Sequence, residues 1–132
     1  MKITFDTNVL LSSTLWYGSV AHKLLFKLIN SNAVIYSSMD ILGEYNKILK
    51  RDFDYSEKEA TIATESIFTF VNIVIPEQKL DIIKEDPDDN IILECAIASS
   101  SDYILTYDNH LLNLKEFRGI KIIKPEELIR KL

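Results

Sequence analysis

Apolar and polar positions follow two rhythms along this chain. Short apolar runs rich in β-branched residues occupy residues 2–6, 33–36, 71–75, 103–106 and 120–123. Turn formers or charges bound each run, so they read as buried strands. Between them, apolar residues recur every three or four positions, the rhythm of helices. Thr7 or Asn8 caps a helix through Val9, Leu10 and Leu11 that Trp16-Tyr17-Gly18 interrupts. Ser19 opens a second, with Val20, Leu24, Leu25, Leu28 and Ile29 along one face and Asn30-Ser31-Asn32 at its end. Ser37 or Ser38 caps a third, over Met39–Lys50, which buries Ile41, Tyr45, Ile48 and Leu49. Ser56-Glu57-Lys58-Glu59 is a capping box, and the helix it starts carries Ala60, Ala63, Ile67 and Phe70 on one stripe. Asp88 or Asp89 caps a helix over Asn90–Ala98 that is apolar nearly all round and so predicted to lie buried on a sheet. A short helical turn at Leu111 and Leu112 precedes the last strand. Pro125 then starts a terminal helix with Leu128 and Leu132.

Strands alternating with helices predict an α/β fold, three layers α/β/α around a mainly parallel central sheet, with residues 1–132 forming one domain. There is no repeat, low-complexity tract or interdomain linker. In such sheets ligands bind outside the C-terminal ends of the strands, and the acids of this chain collect there. Asp6 ends the first strand, and Asp108 lies just past the fourth. Asp89 stands at the start of the helix that leads into the fourth strand, at the same edge. Glu44, three residues after Ile41 and four before Ile48, falls at or beside the inward face of its helix.

Composition narrows the partners. A hydrophobic content of 47% supplies a core, and a net charge of −5 argues against coating the chain in nucleic acid by bulk attraction. It leaves room for a nucleic-acid enzyme whose acids are neutralised by metal ions. Basic residues such as Lys47, Lys50 and Arg51, or Lys115, Arg118, Lys121 and Lys124, read as ordinary solvated charge. No window reaches the length of a membrane span, and nothing at the N-terminus resembles a signal peptide. The single Cys95 cannot form an internal disulfide, which fits a reducing cytoplasm.

Taken singly, each acid has an ordinary explanation. Asp6, Asp86, Asp88, Asp89 and Asp108 are all good cap or turn residues, and Glu44 could be an exposed helix acid. Their joint placement at one sheet edge points elsewhere. Four carboxylates around one small cavity suit Mg²⁺ or Mn²⁺, which prefer oxygen ligands. Such ions polarise phosphate oxygens and lower the pKa of a bound water for in-line attack. No rival nucleophile stands out: Cys95 is mid-helix, and His22 and His110 lack a triad. Glu94, four residues after Asn90, either joins this cavity or makes a structural hydrogen bond. Trp16 and Tyr17 either pack a loop or offer stacking platforms for bases.

At this point the chain resembles the PIN-domain ribonucleases, and within them the prokaryotic VapC-type toxins. Asp6-Thr7-Asn8 after the first strand looks like the family's opening motif, Glu44 like its second acid, and Asp89, seven residues before Ala96, like its third. Thr106-Tyr107-Asp108 looks like its Thr-x-Asp segment with the fourth acid, and residues 119–125 like its closing strand and helix start. Tyr107 departs from the pattern, standing where a small residue is frequent. The resemblance implies a metal-dependent endoribonuclease cleaving single-stranded or exposed RNA, with Asp6, Glu44, Asp89 and Asp108 holding Mg²⁺ or Mn²⁺. Asn8 and Thr106 would orient ligands or a phosphate from behind. Asp86 and Asp88 are further candidate acids. The resemblance also implies an antitoxin partner and a possible homodimer. Two alternatives remain beside it. One is another Mg²⁺-dependent phosphoryl-transfer hydrolase of the haloacid-dehalogenase-like kind, although Asn8 replaces the second acid of its Asp-x-Asp motif. The other is a non-catalytic module of the same fold that binds RNA or protein.

Overall fold

The computed structural model describes residues 1–132. Its strands are β1 (Lys2–Phe5), β2 (Val34–Ser37), β3 (Val71–Ile73), β4 (Tyr103–Leu105), β5 (Glu116–Phe117) and β6 (Ile120–Ile123). Its helices are α1 (Thr7–Leu15), α2 (Val20–Ile29), α3 (Met39–Asp52), α4 (Glu57–Ile67), α5 (Asn90–Ala98), α6 (Asn109–Leu112) and α7 (Pro125–Lys131), with one 3₁₀ turn at Pro87–Asp89. The six strands form a single sheet in the order β3-β2-β1-β4-β6-β5, parallel except for the β5–β6 pair.

That order creates a switch point. From β1 the chain winds outward through β2 to β3, then returns to place β4 on the other side of β1. The connections leave in opposite directions at the C-terminal ends of β1 and β4, which opens a crevice between them. Helix α5, whose buried residues include Ile92, Leu93, Cys95 and Ala96, packs against β1, β2 and β4 as its all-round apolar pattern predicted. One continuous core of 29 buried apolar residues runs through both faces of the sheet.

Three predicted helix starts are made by the predicted chemistry, whereas α1 already includes Thr7 and Asn8 and has Asp6 at its cap position. Ser19, Ser38 and Ser56 each accept a backbone N–H of the first turn, and Glu59 returns the bond to complete the box at Ser56. Other boundaries shift. Helix α4 ends at Ile67, so Phe70 packs on the core from a turn rather than from the helix. Strand β3 stops at Ile73, and Leu132 lies half-exposed beyond α7. Neither Asp88 nor Asp89 caps α5 with its side chain: Asp89 has helical backbone angles, and Asp86 caps the 3₁₀ turn ahead of it. Strand β5 was not expected. It is two residues long, too short for a periodic signal, and pairs through a two-residue turn in which Arg118 and Gly119 both take positive φ, 51° and 85°.

Between β3 and the 3₁₀ turn at Pro87–Asp89 the chain has no regular structure, yet α5 ties it down. Asn90 accepts from the backbone N–H of Ile82 and Ile83 at 3.0 and 2.9 Å and donates to the carbonyls of Ile83 and Pro87. Glu94 accepts from Leu80 N–H at 2.9 Å. These two buried polar residues of α5 supply the partners that a sheet or helix would otherwise give this backbone. They hold Ile83 in the core and bring Asp86 to the crevice.

Candidate metal centre

An open cavity of about 480 Å³ lies over the C-terminal ends of β1 and β4. Seven acids line it (Asp6, Asp40, Glu44, Asp86, Asp88, Asp89 and Asp108) against three cations, Lys47, Arg51 and Lys79. Asn8 also faces it, while Glu94 does not. The Glu94 carboxylate is spent on the linker backbone, which decides between the two roles open to it from sequence.

Asp6 sits at the floor, 4% exposed. Its backbone starts α1, but its side chain caps nothing. Instead its Oδ2 accepts the hydroxyl of Thr106 at 2.6 Å, and the same Thr106 oxygen accepts the backbone N–H of Asp108 at 2.9 Å. Thr106 therefore locks the ends of β1 and β4 together and orients two acids at once. Burial lifts the Asp6 carboxyl to about 6, against the Thr106 hydroxyl and the Thr7 backbone, and the charges of Glu44 and Asp108 add to the rise.

Asp89 is 6% exposed, and its Oδ2 has no hydrogen-bond partner. Burial and then the charges of Asp108, Asp6 and Asp86 push its carboxyl well above the ordinary range. Asp108 uses Oδ1 to cap α6, accepting the N–H of His110 at 2.7 Å and of Leu111 at 3.3 Å. Asp86 accepts the Asp88 N–H. The cap and turn roles foreseen for these two acids are thus real, and each keeps a second oxygen beyond them. Asp88 is exposed at the rim. Glu44 reaches in from α3, half-buried and raised by burial, with Asp88 and Asp86 adding to the rise. The Thr7 hydroxyl lies close enough to favour its ionised form without completing a hydrogen bond.

The tightest group is Asp86, Asp89, Asp108 and His110, each offering one ligand atom within 4.8 Å of the others. His110 Nδ1 stands 3.7 Å from both Asp89 Oδ2 and Asp108 Oδ1. Sequence reasoning passed over His110 because no triad accompanied it. The available signal was its place two residues after Asp108, in the first turn that Asp108 caps. Tyr107 leaves the crevice free, since its hydroxyl donates to Glu126 on α7 at 2.7 Å. Cys95 is buried with its thiol pushed up to about 12, and His22 bonds the Ser13 carbonyl away from the cavity.

This donor set fits a divalent cation. It is almost wholly oxygen, with one imidazole at the edge. A buried carboxylate oxygen without a partner is costly, and like charges around it raise the cost further. A cation held by Asp89 and its neighbouring acids would remove both penalties together.

A mainly parallel sheet whose switch point opens onto a ring of carboxylates defines an α/β protein with an acidic crevice. The PIN domain family model matches residues 2–110, and the chain belongs to the PIN-domain family. Membership sets the haloacid-dehalogenase-like alternative aside. No curated protein sequence matches significantly. Solved structures carry the same fold at low identity. VapBC2 from Rickettsia felis, bound to a DNA fragment of its promoter, has 15% identity and a TM-score of 0.68, covering 92% of this chain and 97% of that one. VapBC-1 from nontypeable Haemophilus influenzae has 15% identity and a TM-score of 0.60, covering 96% and 99%. VapC20 from Mycobacterium tuberculosis, a toxin that cleaves the sarcin-ricin loop, has 15% identity and a TM-score of 0.59, covering 90% and 98%. No helix of this chain is long and apolar enough to cross a membrane.

Proposed function

We propose that residues 1–132 act as a single metal-dependent endoribonuclease domain that hydrolyses RNA phosphodiester bonds, as the toxin half of a toxin–antitoxin pair in the cytoplasm. The observation that carries the reading is the unpartnered, buried Asp89 Oδ2 among Asp6, Asp86 and Asp108 at the sheet's switch point. Likeness in fold to the VapBC complexes and to VapC20 supports the toxin assignment and a protein antitoxin. A homodimer belongs to the same reading.

Asp6, Glu44, Asp89 and Asp108 are the residues to hold Mg²⁺ or Mn²⁺, with Asp86 and His110 close enough to share the task. A bound ion supplies charge neutralisation at the phosphate and a water acidic enough to attack phosphorus near neutral pH. The chain's own residues do the rest. Thr106 fixes the rotamer of Asp6 and the backbone at Asp108. Asn8 offers an uncharged donor at the crevice wall, and Lys47, Arg51 and Lys79 offset the phosphate charge at its mouth.

The product ends test this reading. Attack by water needs no 2′-hydroxyl, so an RNA with a deoxyribose at the scissile position remains a substrate, and cleavage stops with excess chelator. A 2′,3′-cyclic phosphate product, or cleavage that survives chelation, contradicts it.

A further inference from the structure

Residues 108–110 deliver two donors as one unit. Asp108 caps α6, and its Oδ1 accepts the backbone N–H of His110 at 2.7 Å. The His110 ring stands beside the same carboxylate, with Nδ1 3.7 Å from Asp108 Oδ1 and 3.7 Å from Asp89 Oδ2. The 3₁₀ turn supplies two more donors, Asp86 at its cap and Asp89 at its last residue. All four ligand atoms lie within 4.8 Å of one another. His110 stands outside the four acids of the family pattern, and it is the one member of this group that brings no negative charge. Its Nδ1 is too far from either oxygen for a hydrogen bond. The nearby Asp89 Oδ2 is buried and has no partner at all. The spacing suits a shared ion instead. Around an octahedral ion with ligands at about 2.1 Å, neighbouring donors lie about 3.0 Å apart and opposite ones about 4.2 Å. The two 3.7 Å separations fall between these limits, and the His110 side chain, 44% exposed, has room to close the remainder.

We infer that His110 is a nitrogen ligand of the ion in this crevice and makes the centre prefer Mn²⁺ to Mg²⁺. This rests on the metal-dependent reading above and names the ion that reading leaves open. Mg²⁺ takes oxygen ligands and keeps several waters, so an imidazole offers it little that one more water does not. Mn²⁺ accepts the same carboxylates and, as a first-row transition ion, takes an imidazole nitrogen more readily. Charge explains why a neutral donor suits this place. Asp86, Asp89 and Asp108 already repel one another, and the Asp89 carboxyl is raised by that repulsion as well as by burial. A fourth acid at position 110 would add to the repulsion, whereas an imidazole completes the set without it.

The chain has 2 histidines. The other, His22, bonds the Ser13 carbonyl at 2.8 Å and packs against Tyr17 and Phe26, away from the crevice lining. An imidazole signal from the bound ion therefore reports on His110. The experiment titrates the unsubstituted chain, His110→Ala and His110→Asp with Mn²⁺ and with Mg²⁺ by calorimetry, and records pulsed electron paramagnetic resonance of each Mn²⁺-loaded protein. The unsubstituted chain is expected to bind Mn²⁺ the more tightly and to show an imidazole nitrogen coupled directly to it. His110→Ala is expected to lose that coupling together with about tenfold or more in Mn²⁺ affinity, while its Mg²⁺ affinity changes far less. His110→Asp is expected to lose the coupling and to narrow the gap between the two ions. Mn²⁺ bound without imidazole coupling overturns the inference, and so does an equal loss for both ions in His110→Ala. Either result leaves the metal centre standing. No binding of either ion by the folded, unsubstituted chain sinks the metal-dependent reading and this inference with it.

Discussion

Replacing Asp6 by Asn is expected to stabilise the metal-free protein, which is unusual for a change at a buried, hydrogen-bonded residue. Burial holds the Asp6 carboxyl at about 6 instead of the ordinary 3.8. Keeping it ionised in the folded state at pH 7 therefore costs about 3 kcal/mol relative to the unfolded chain. Because the folded value is the higher one, its contribution to stability is intact below about pH 4 and is lost as pH rises through 6. Asn removes the charge and keeps an oxygen for the Thr106 hydroxyl, which now lies 2.6 Å from Asp6 Oδ2. For a chain of this size the relief amounts to a rise in Tm of about 10 °C at most. The assay is thermal unfolding in excess chelator at pH 7 and pH 4.5, with and without the substitution. The gap is expected to be large at pH 7 and to shrink at pH 4.5. Millimolar Mn²⁺ should raise the unsubstituted protein, by about 2.7 kcal/mol at a hundred times Kd, and leave Asp6→Asn nearly unmoved. A variant that melts at or below the unsubstituted protein at pH 7, or a gap that ignores pH, would refute the electrostatic argument.

Other perturbations separate the parts of the site. Thr106→Val removes the hydroxyl shared by Asp6 and Asp108; metal affinity, read by calorimetric titration, is expected to fall about 10- to 100-fold with the fold kept. Asp86→Asn is expected to weaken metal binding in the same titration about tenfold or more, because Asp86 lies in the 4.8 Å group with Asp89 and Asp108. Asp88→Asn, exposed at the rim, should change it by about twofold through screened charge alone. Asn90→Ala unties the linker from α5 and strands the buried Ile83 N–H. A loss of about 2–4 kcal/mol in denaturant unfolding is expected, together with faster proteolysis within residues 77–86.

The strand and helix pattern was legible because the middle of this sheet is covered on both faces, so its strands appear as short, mostly apolar runs, and because three serines make textually visible caps at 19, 38 and 56. The acids at strand ends were legible from the same pattern, since chain order alone places Asp6 and Asp108 at the edge where a switch point opens. What pattern cannot carry is the direction of a side chain. Glu94 and Asn90 share one face of α5, yet that face meets a linker backbone that no periodicity describes, and its need for partners decides their role. His110 was missed for a related reason. Its ring comes within 3.7 Å of Asp89 only because two segments twenty-one residues apart are folded against the same crevice. The hairpin at Arg118–Gly119 failed on length, as two residues of β5 leave no alternation to read.

The most direct test of the central claim is cleavage of a mixed panel of structured and single-stranded RNAs in Mg²⁺, Mn²⁺ or excess chelator, comparing the unsubstituted chain with Asp6→Asn/Asp89→Asn at matched folding. The account expects cleavage that needs the metal and disappears in the double variant while its unfolding curve stays cooperative. Equal cleavage by the two proteins, or cleavage indifferent to chelator, would contradict it.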